Sequence, residues 1–291
     1  MKPILFGASV CGAAHQRRGL PCQDNFEIRD HRYASSAKGN RGRFYAGLPR
    51  DVILLAAADG HGSRACPYSK TGSRIAVNVF CDIMAEFCTK YREDWAAFER
   101  QLQKEPDMIR LAQSIEIDWK KRVRRDFTRK KNRRLQPLAG AEQPDEYDVY
   151  RLYGTTLLGA LVTRRFIFSF RLGDGDINIV SRDGVAHLIE GERLLGVETH
   201  SLSQKGAWFN AETSFCLLGE LKTPMVLLLS TDGLLNSYVS DEEFSKSCVE
   251  YLRRIEESGP DQVRALLPKW LAETSREGCG DDITAVFAYF K

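Results

Sequence analysis

Residues 54–63 read Leu-Leu-Ala-Ala-Ala-Asp-Gly-His-Gly-Ser, and the run from Val52 to Ala58 before the acid is apolar without a break. Bounded by Asp51 on one side and Asp59-Gly60 on the other, it has the length of a strand buried on both faces that ends in a turn. The same arrangement recurs along the chain. Asp174 follows FIFSFRLG, Asp232 follows VLLLST, Asp281 and Asp282 precede ITAVFAYF, and Asp24 lies just before another strand-like stretch. Each acid thus stands at a strand end, and four have a glycine beside them.

Outward from this run, strands are expected at Ile4 to Val10 and Asn25 to Ile28, with a Gly- and Pro-punctuated turn between them. Residues 31 to 50 are rich in Gly, Ser and Arg and read as a loop. Ile75, Val79, Ile83 and Phe87 recur four apart, so a helix is expected from Ser69 to Tyr91, with a shorter one from Asp94 to Gln103. Pro106 suits the first turn of a third helix, whose apolar stripe is Met108, Leu111, Ile115, Trp119, Val123 and Phe127. Residues 135 to 150 carry no Lys or Arg and read as an exposed linker. The second half is strand-rich: Leu157 to Thr163, Phe166 to Leu172, Ile177 to Val180, Val185 to Ile189, Phe215 to Leu218, Met225 to Leu229 and Ile283 to Phe290. Glu190 to Ala211 reads as a long loop, and two helices are expected over 241 to 256 and 260 to 274. No repeat or sharp break in composition divides the chain, so residues 1–291 are expected to form a single domain.

The 291 residues are 43% hydrophobic and 28% charged, a balance that excludes collagenous, disordered and membrane-embedded classes. No apolar run approaches the ~18 residues of a membrane span, and the first residues lack the apolar core of a secretory signal. Eight cysteines occur without any C-x-x-C spacing, so reduced, mostly buried thiols in a cytoplasmic protein are expected. The net charge of +3 is uneven: Trp119 to Arg134 holds ten Lys/Arg and one Asp, leaving the remainder of the chain at −6. That basic segment reads as the solvated distal end of the third helix. Its Trp119 and Phe127 fall on the core stripe, which argues against stacking on nucleic-acid bases.

A single Asp-Gly is more often a turn than a site. Four or five carboxylates gathered at one rim are different, because their mutual repulsion needs protons or cations. Oxygen-only ligands favour hard ions, Mg²⁺ or Mn²⁺, over zinc. Two such ions ~3.5–4 Å apart are the usual arrangement for hydrolysing a phosphate ester.

In order, the stretches HQRRGLPCQDNF, LLAAADGHGS, YGTTLLGALV, FRLGDGDINIV, LLLSTDGLLN and GDDITAVF, from His15 to Phe287, resemble the metal-dependent protein phosphatase family, the type 2C Ser/Thr phosphatases, and in particular its divergent bacterial-type branch. The resemblance implies an α+β fold, a four-layer αββα sandwich of two antiparallel sheets flanked by antiparallel helices, with metals in a cleft at one edge. It implies a Mn/Mg-dependent phosphatase that hydrolyses phosphoserine and phosphothreonine in proteins by a metal-bridging water, with a Ser/Thr kinase as its counterpart in signalling. It implies two divalent cations, Mn²⁺ or Mg²⁺, and a weaker third. Asp59 then bridges the two ions, the Gly60 carbonyl contributes to one, and Asp232 and Asp281 complete the other. Asp24 holds metal-bound water, Asp174 matches the acid of the third site, and His61 matches the histidine that protonates the leaving alkoxide, a role suited to a group titrating at about 6.5.

The chain departs from the family pattern at four positions. Gln23 stands where a glutamate is common, Gly19 where a phosphate-binding arginine is usual, Asn236 where an acid supports the third metal, and Asp282 where Asn is frequent. Arg17, Arg18 or His15 are the cations that could replace the arginine, Arg18 being nearest in sequence. These departures motivate a second reading, a weak or inactive member that acts as a regulatory phosphoprotein-binding module. Glu190 to Ala211 matches the family's variable flap beside the cleft, where Trp208 and Phe209 either touch substrate or pack beneath the flap.

Overall fold

The computed structural model describes residues 2–31, 48–63, 65–133, 145–189 and 199–291, with the backbone alone at 131–133. Residues 32–47 of the loop expected at 31–50, residues 135–144 of the linker expected at 135–150 and residues 190–198 of the flap expected at 190–211 lie outside the described residues.

Among the described residues, ten strands form two five-stranded sheets in which every pairing is antiparallel. The first sheet holds β1 (Ile4–Val10), β10 (Ile283–Phe290), β9 (Met225–Ser230), β6 (Asp176–Ser181) and β7 (Gly184–His187), in that order. The second holds β2 (Asn25–Asp30), β3 (Ile53–Ala58), β4 (Leu157–Val162), β5 (Phe166–Leu172) and β8 (Glu212–Leu217). The central strands β3, β4, β5, β9 and β10 are buried at every residue, as their predominantly apolar sequences require.

Three apolar cores give four layers. The inner core lies between the sheets and includes Leu55, Leu158, Leu227 and Val286, all fully buried. Each such side chain contributes about 1.5–3 kcal/mol relative to exposure. On the outer face of the second sheet pack α2 (Ser69–Lys90), α3 (Trp95–Gln101) and α4 (Glu105–Arg133). The expected stripe of α4 faces inward: Leu111, Ile115, Trp119 and Val123 are buried, while Met108 and Phe127 are half-buried. On the first sheet pack α7 (Asp241–Ser258) and α8 (Pro260–Glu277) through residues such as Phe244, Leu252, Val263 and Leu267. Ser240 caps α7 by accepting the Glu243 N–H, and Pro260 occupies the first turn of α8, where its missing N–H costs nothing. This is the expected four-layer α+β sandwich.

Glycine sets how closely α2 approaches its sheet. A Cβ on Gly159 of β4 would stand 2.3 Å from the Phe80 ring, and one on Gly72 would stand 1.9 Å from the Tyr153 carbonyl oxygen. That Gly72 carbonyl accepts the indole N–H of Trp119 at 3.0 Å, joining α2 to α4. Between these helices Asp82 receives Arg29 of β2 and Arg122 of α4, each at 2.5 Å.

Four expectations are corrected. The turn after β1 contains a short helix, α1 (Ala13–Arg17), and part of the expected linker is α5 (Glu146–Arg151), whose Val149 and Tyr150 are buried against the core. β8 begins three residues before the expected strand at Phe215. All eight cysteines are free thiols, but only Cys81, Cys88 and Cys248 are buried, and Cys279 is exposed. At the basic end of α4, Lys120 pairs with Glu116, Arg122 with Asp118 and Asp82, Arg124 with Glu146 and Lys130 with Asp126, while Lys121, Arg125 and Arg129 are exposed, as a solvated face requires. No described helix is long and apolar enough to cross a membrane.

Candidate metal centre

The strand registers bring the acids together. Asn25 at the start of β2 pairs with Ala58 at the end of β3, which places Asp24 beside Asp59. Leu157 of β4 pairs with Leu172 of β5, so Asp174 emerges on the same rim. In the other sheet Ala285 pairs with Ser230, which sets Asp281 beside Asp232. Asp232 opens a one-turn helix, α6 (Asp232–Leu235), directly after β9.

The two halves of the rim are tied by hydroxyl groups. Thr231, at the end of β9, donates to Asp24 Oδ2 of the other sheet at 2.8 Å and itself accepts the Thr284 N–H at 2.9 Å. The two threonines of Gly154-Thr155-Thr156 clamp the Asp59 backbone. Thr155 Oγ1 donates to the Asp59 carbonyl at 2.6 Å, Thr156 Oγ1 accepts the Asp59 N–H at 3.0 Å, and the Thr156 N–H returns to the Asp59 carbonyl at 2.9 Å. The acidic loops also meet at van der Waals limits. A Cβ on Gly233 would stand 2.1 Å from the Asp282 carbonyl oxygen, and one on Gly60 would stand 2.7 Å from that of Gln23. Glycine after Asp59 and after Asp232 is therefore a condition of the loops meeting, beyond its usefulness in a turn.

The carboxyl groups interact strongly. Burial and the charge of Asp282 push Asp24 up to about 7, against the pull of hydrogen bonds from Asp59, Thr231 and Thr284. Asp59, half-buried, is raised well above the usual carboxylate range by burial, then by Asp24, Asp281 and Asp174. Burial raises Asp232 to about 8, reinforced by Asp59, Asp174 and Asp281. The five acids named from the sequence thus form one electrostatic cluster. Asp174 is exposed and accepts the Thr199 hydroxyl at 2.6 Å, and Asn236 donates to Asp232 Oδ2 at 2.9 Å. Asp24 Oδ1 is buried without a hydrogen-bond donor. An all-oxygen donor set, a buried orphan oxygen and protons forced onto carboxyl groups together fit hard divalent cations.

His61 lies beside this cluster. Its N–H donates to the Gly154 carbonyl at 3.1 Å, and its ring packs where a Cβ on Gly154 would stand, 2.5 Å from Cδ2. Arg18 is exposed at the end of α1. Arg17 comes nearer the cluster, its guanidinium 3.8 Å from the Cβ position of Gly280. Trp208 packs against the outer core, while Phe209 is exposed and lines a groove of about 710 Å³ with Met108 and Ile109; none of the five acids lines it. Cys248 is buried in α7, and burial pushes its thiol up to about 12, so it carries no nucleophilic thiolate.

The sequence left the Asp282–His15 pair undescribed. Asp282 is buried, accepts the N–H groups of Gly12 and Gln23 at 2.7 and 2.6 Å, and lies 2.9 Å from His15 Nδ1. The usable signal was the histidine that opens HQRRGLPCQDNF, together with a second acid in GDDITAVF.

The family model described as protein phosphatase 2C matches residues 11–272, and the chain belongs to that family. Solved phosphatases share its fold. The serine/threonine phosphatase of S. agalactiae is 16% identical with a TM-score of 0.58, over 99% of this chain and 100% of that one. Serine/threonine phosphatase Stp1 from Staphylococcus aureus is 12% identical with a TM-score of 0.56, over 100% and 96%. The catalytic domain of the serine/threonine protein phosphatase PstP, in complex with two manganese ions, is 14% identical with a TM-score of 0.52, over 99% and 97%. No curated protein matches this chain by sequence.

Proposed function

We propose that this protein hydrolyses phosphoserine and phosphothreonine in proteins with the help of two divalent cations, Mn²⁺ or Mg²⁺. The observation that carries this is the single acidic cluster of Asp24, Asp59, Asp174, Asp232 and Asp281, in which burial and the neighbouring carboxylates raise Asp24, Asp59 and Asp232 above the usual carboxylate range. Asp59, the Gly60 carbonyl, Asp232 and Asp281 would hold the cations, Asp24 would support them, and Asp174 would serve a weaker third. When bound, such ions supply an acidified water and neutralise charge on the phosphoryl group.

The chain's own residues do the rest. The threonine clamp fixes Asp59, and Thr231 fixes Asp24 across the two sheets, so the donors are set before substrate arrives. His61, held by the Gly154 carbonyl and packed on Gly154, is assigned the proton given to the departing seryl or threonyl oxygen. Arg18 and Arg17 of α1 are assigned to the incoming phosphate. The buried, high-titrating Cys248 supports a reaction without a covalent phosphoenzyme. Its substrate would be a protein phosphorylated by a cognate kinase. Eight free thiols support a cytoplasmic setting.

The test is hydrolysis of a small aryl phosphate and a phosphothreonine peptide with Mn²⁺, Mg²⁺ or EDTA. Turnover that requires a divalent ion is expected. Folded protein that binds Mn²⁺ but hydrolyses neither compound would favour the regulatory binding module that Gln23 and Gly19 suggest.

A further inference from the structure

We propose that His15 is a nitrogen ligand of the cation held by Asp281, so that one site of the centre has mixed nitrogen and oxygen ligation. The proposal rests on the metal-centre reading above and extends it.

His15 sits on α1 and is buried, with one ring nitrogen toward a carboxylate and the other toward the acidic loop. Nδ1 lies 2.9 Å from Asp282 Oδ1, in a bent approach that falls outside straight hydrogen-bond geometry. Asp282 is itself fixed: Oδ1 accepts the Gly12 N–H and Oδ2 the Gln23 N–H. Both its oxygens accept backbone donors, which fixes it as an orienting group for the imidazole. A carboxylate at one nitrogen is how proteins orient metal-bound imidazoles, because it leaves the lone pair on the other.

That other nitrogen, Nε2, is 3.9 Å from Asp281 Oδ1, whose side chain is 51% exposed. The separation is too long for a hydrogen bond. It suits two atoms that share an ion, since ligands each about 2.1 Å from one ion lie at most ~4.2 Å apart. An independent observation marks the same place. Gln23 is buried and its amide Oε1 has no hydrogen-bond donor. His15 Nε2 and Gln23 Oε1 lie 2.7 and 3.2 Å from the point where a Cβ on Gly62 would stand. Two lone-pair atoms therefore converge on a space that the last glycine of Asp-Gly-His-Gly leaves open. With Gln23 where the family commonly has a glutamate, both donors at this point are neutral. A nitrogen donor shifts preference from Mg²⁺ toward Mn²⁺, Fe²⁺ or Zn²⁺.

The test is pulsed electron paramagnetic resonance of the full chain loaded with Mn²⁺, read for the modulation of a directly bound imidazole ¹⁴N. The coupling is expected in the wild type and in His61→Gln, and its loss in His15→Gln. The same His15→Gln change should weaken Mn²⁺ binding about tenfold to hundredfold and alter Mg²⁺ affinity less than about threefold. Wild-type protein that binds Mn²⁺ without a nitrogen coupling overturns this proposal alone, and that spectrum depends on no variant folding. A coupling that survives His15→Gln overturns it as well. Protein that binds no Mn²⁺ overturns the metal-centre reading together with it.

Discussion

The carboxyl groups of Asp24 and Asp59 are neighbours at the point where β2 begins and β3 ends, and the charge of Asp24 is the largest influence after burial that raises Asp59. A buried acid and a half-buried one set side by side call for a proton or a cation between them. This contact therefore defines what the metal-free protein must do: hold protons that a bound cation would release.

That requirement sets the pH dependence. Asp24 is raised to about 7 and Asp232 to about 8, so the folded, metal-free state binds more protons than the unfolded chain above about pH 4. Stability from these groups is full below the unfolded value and is lost as pH rises through the folded values. In EDTA the denaturation midpoint is expected to fall between pH 5 and pH 8. With saturating Mn²⁺ the stabilisation by metal should grow over the same interval, because ion and protons compete. A midpoint in EDTA that climbs toward pH 8 would contradict the protonated cluster.

Gly233→Ala tests the close approach of the acidic loops. A Cβ there would stand 2.1 Å from the Asp282 carbonyl oxygen, and the obstacle is backbone, which cannot rotate away. Mn²⁺ affinity by calorimetry is expected to fall about tenfold or more, the scale seen when support of metal ligands is lost. Circular dichroism of the folded state is followed alongside, since Leu234 and Ile283 of the neighbouring apolar core adjoin the site. Unchanged affinity would mean the loops have slack.

Asp82→Ala separates stability from chemistry. It leaves the buried Arg29 and the half-buried Arg122 without their shared partner. A loss of about 3 kcal/mol in chemical denaturation is expected, with turnover per folded molecule unchanged. A loss below about 1 kcal/mol would show that water replaces the carboxylate.

Arg17 and Arg18 should act through substrate binding. Replacing both with Ala is expected to raise KM for a phosphothreonine peptide about tenfold, roughly 1.4 kcal/mol, with kcat nearly unchanged, the pattern of uniform binding. The single variants then apportion the effect between the exposed Arg18 and the Arg17 that reaches Gly280. An unchanged KM in the double variant would remove both from the site.

Much of this architecture is legible in the sequence because it rests on periodicity. The unbroken apolar run ending at Ala58 reads as a central strand, and the stripe from Met108 to Phe127 reads as one helix face, each for the reason it folds that way. The acids are legible as well, since each follows or precedes such a run. What escapes is short or non-local. Helices α1 and α5 have five and six residues, too few to show a period. The bond from the Gly12 N–H to Asp282 spans 270 residues, so no spacing rule could pair His15 with that acid. The threonines of Gly-Thr-Thr stand just before the strand expected at Leu157, and only the fold shows that their hydroxyls hold the backbone of Asp59.

The most direct experiment is a Mn²⁺ titration of the wild type and of Asp232→Ala, with phosphothreonine-peptide hydrolysis and metal binding followed on the same samples. Wild-type turnover should rise with the bound Mn²⁺ and vanish in EDTA, while Asp232→Ala should stay folded, bind Mn²⁺ more weakly and turn over at least about a hundredfold more slowly, a loss of ~2.7 kcal/mol in transition-state stabilisation. Wild-type turnover that persists in EDTA, or an Asp232→Ala variant as active as the wild type, would contradict a metal centre built on these acids.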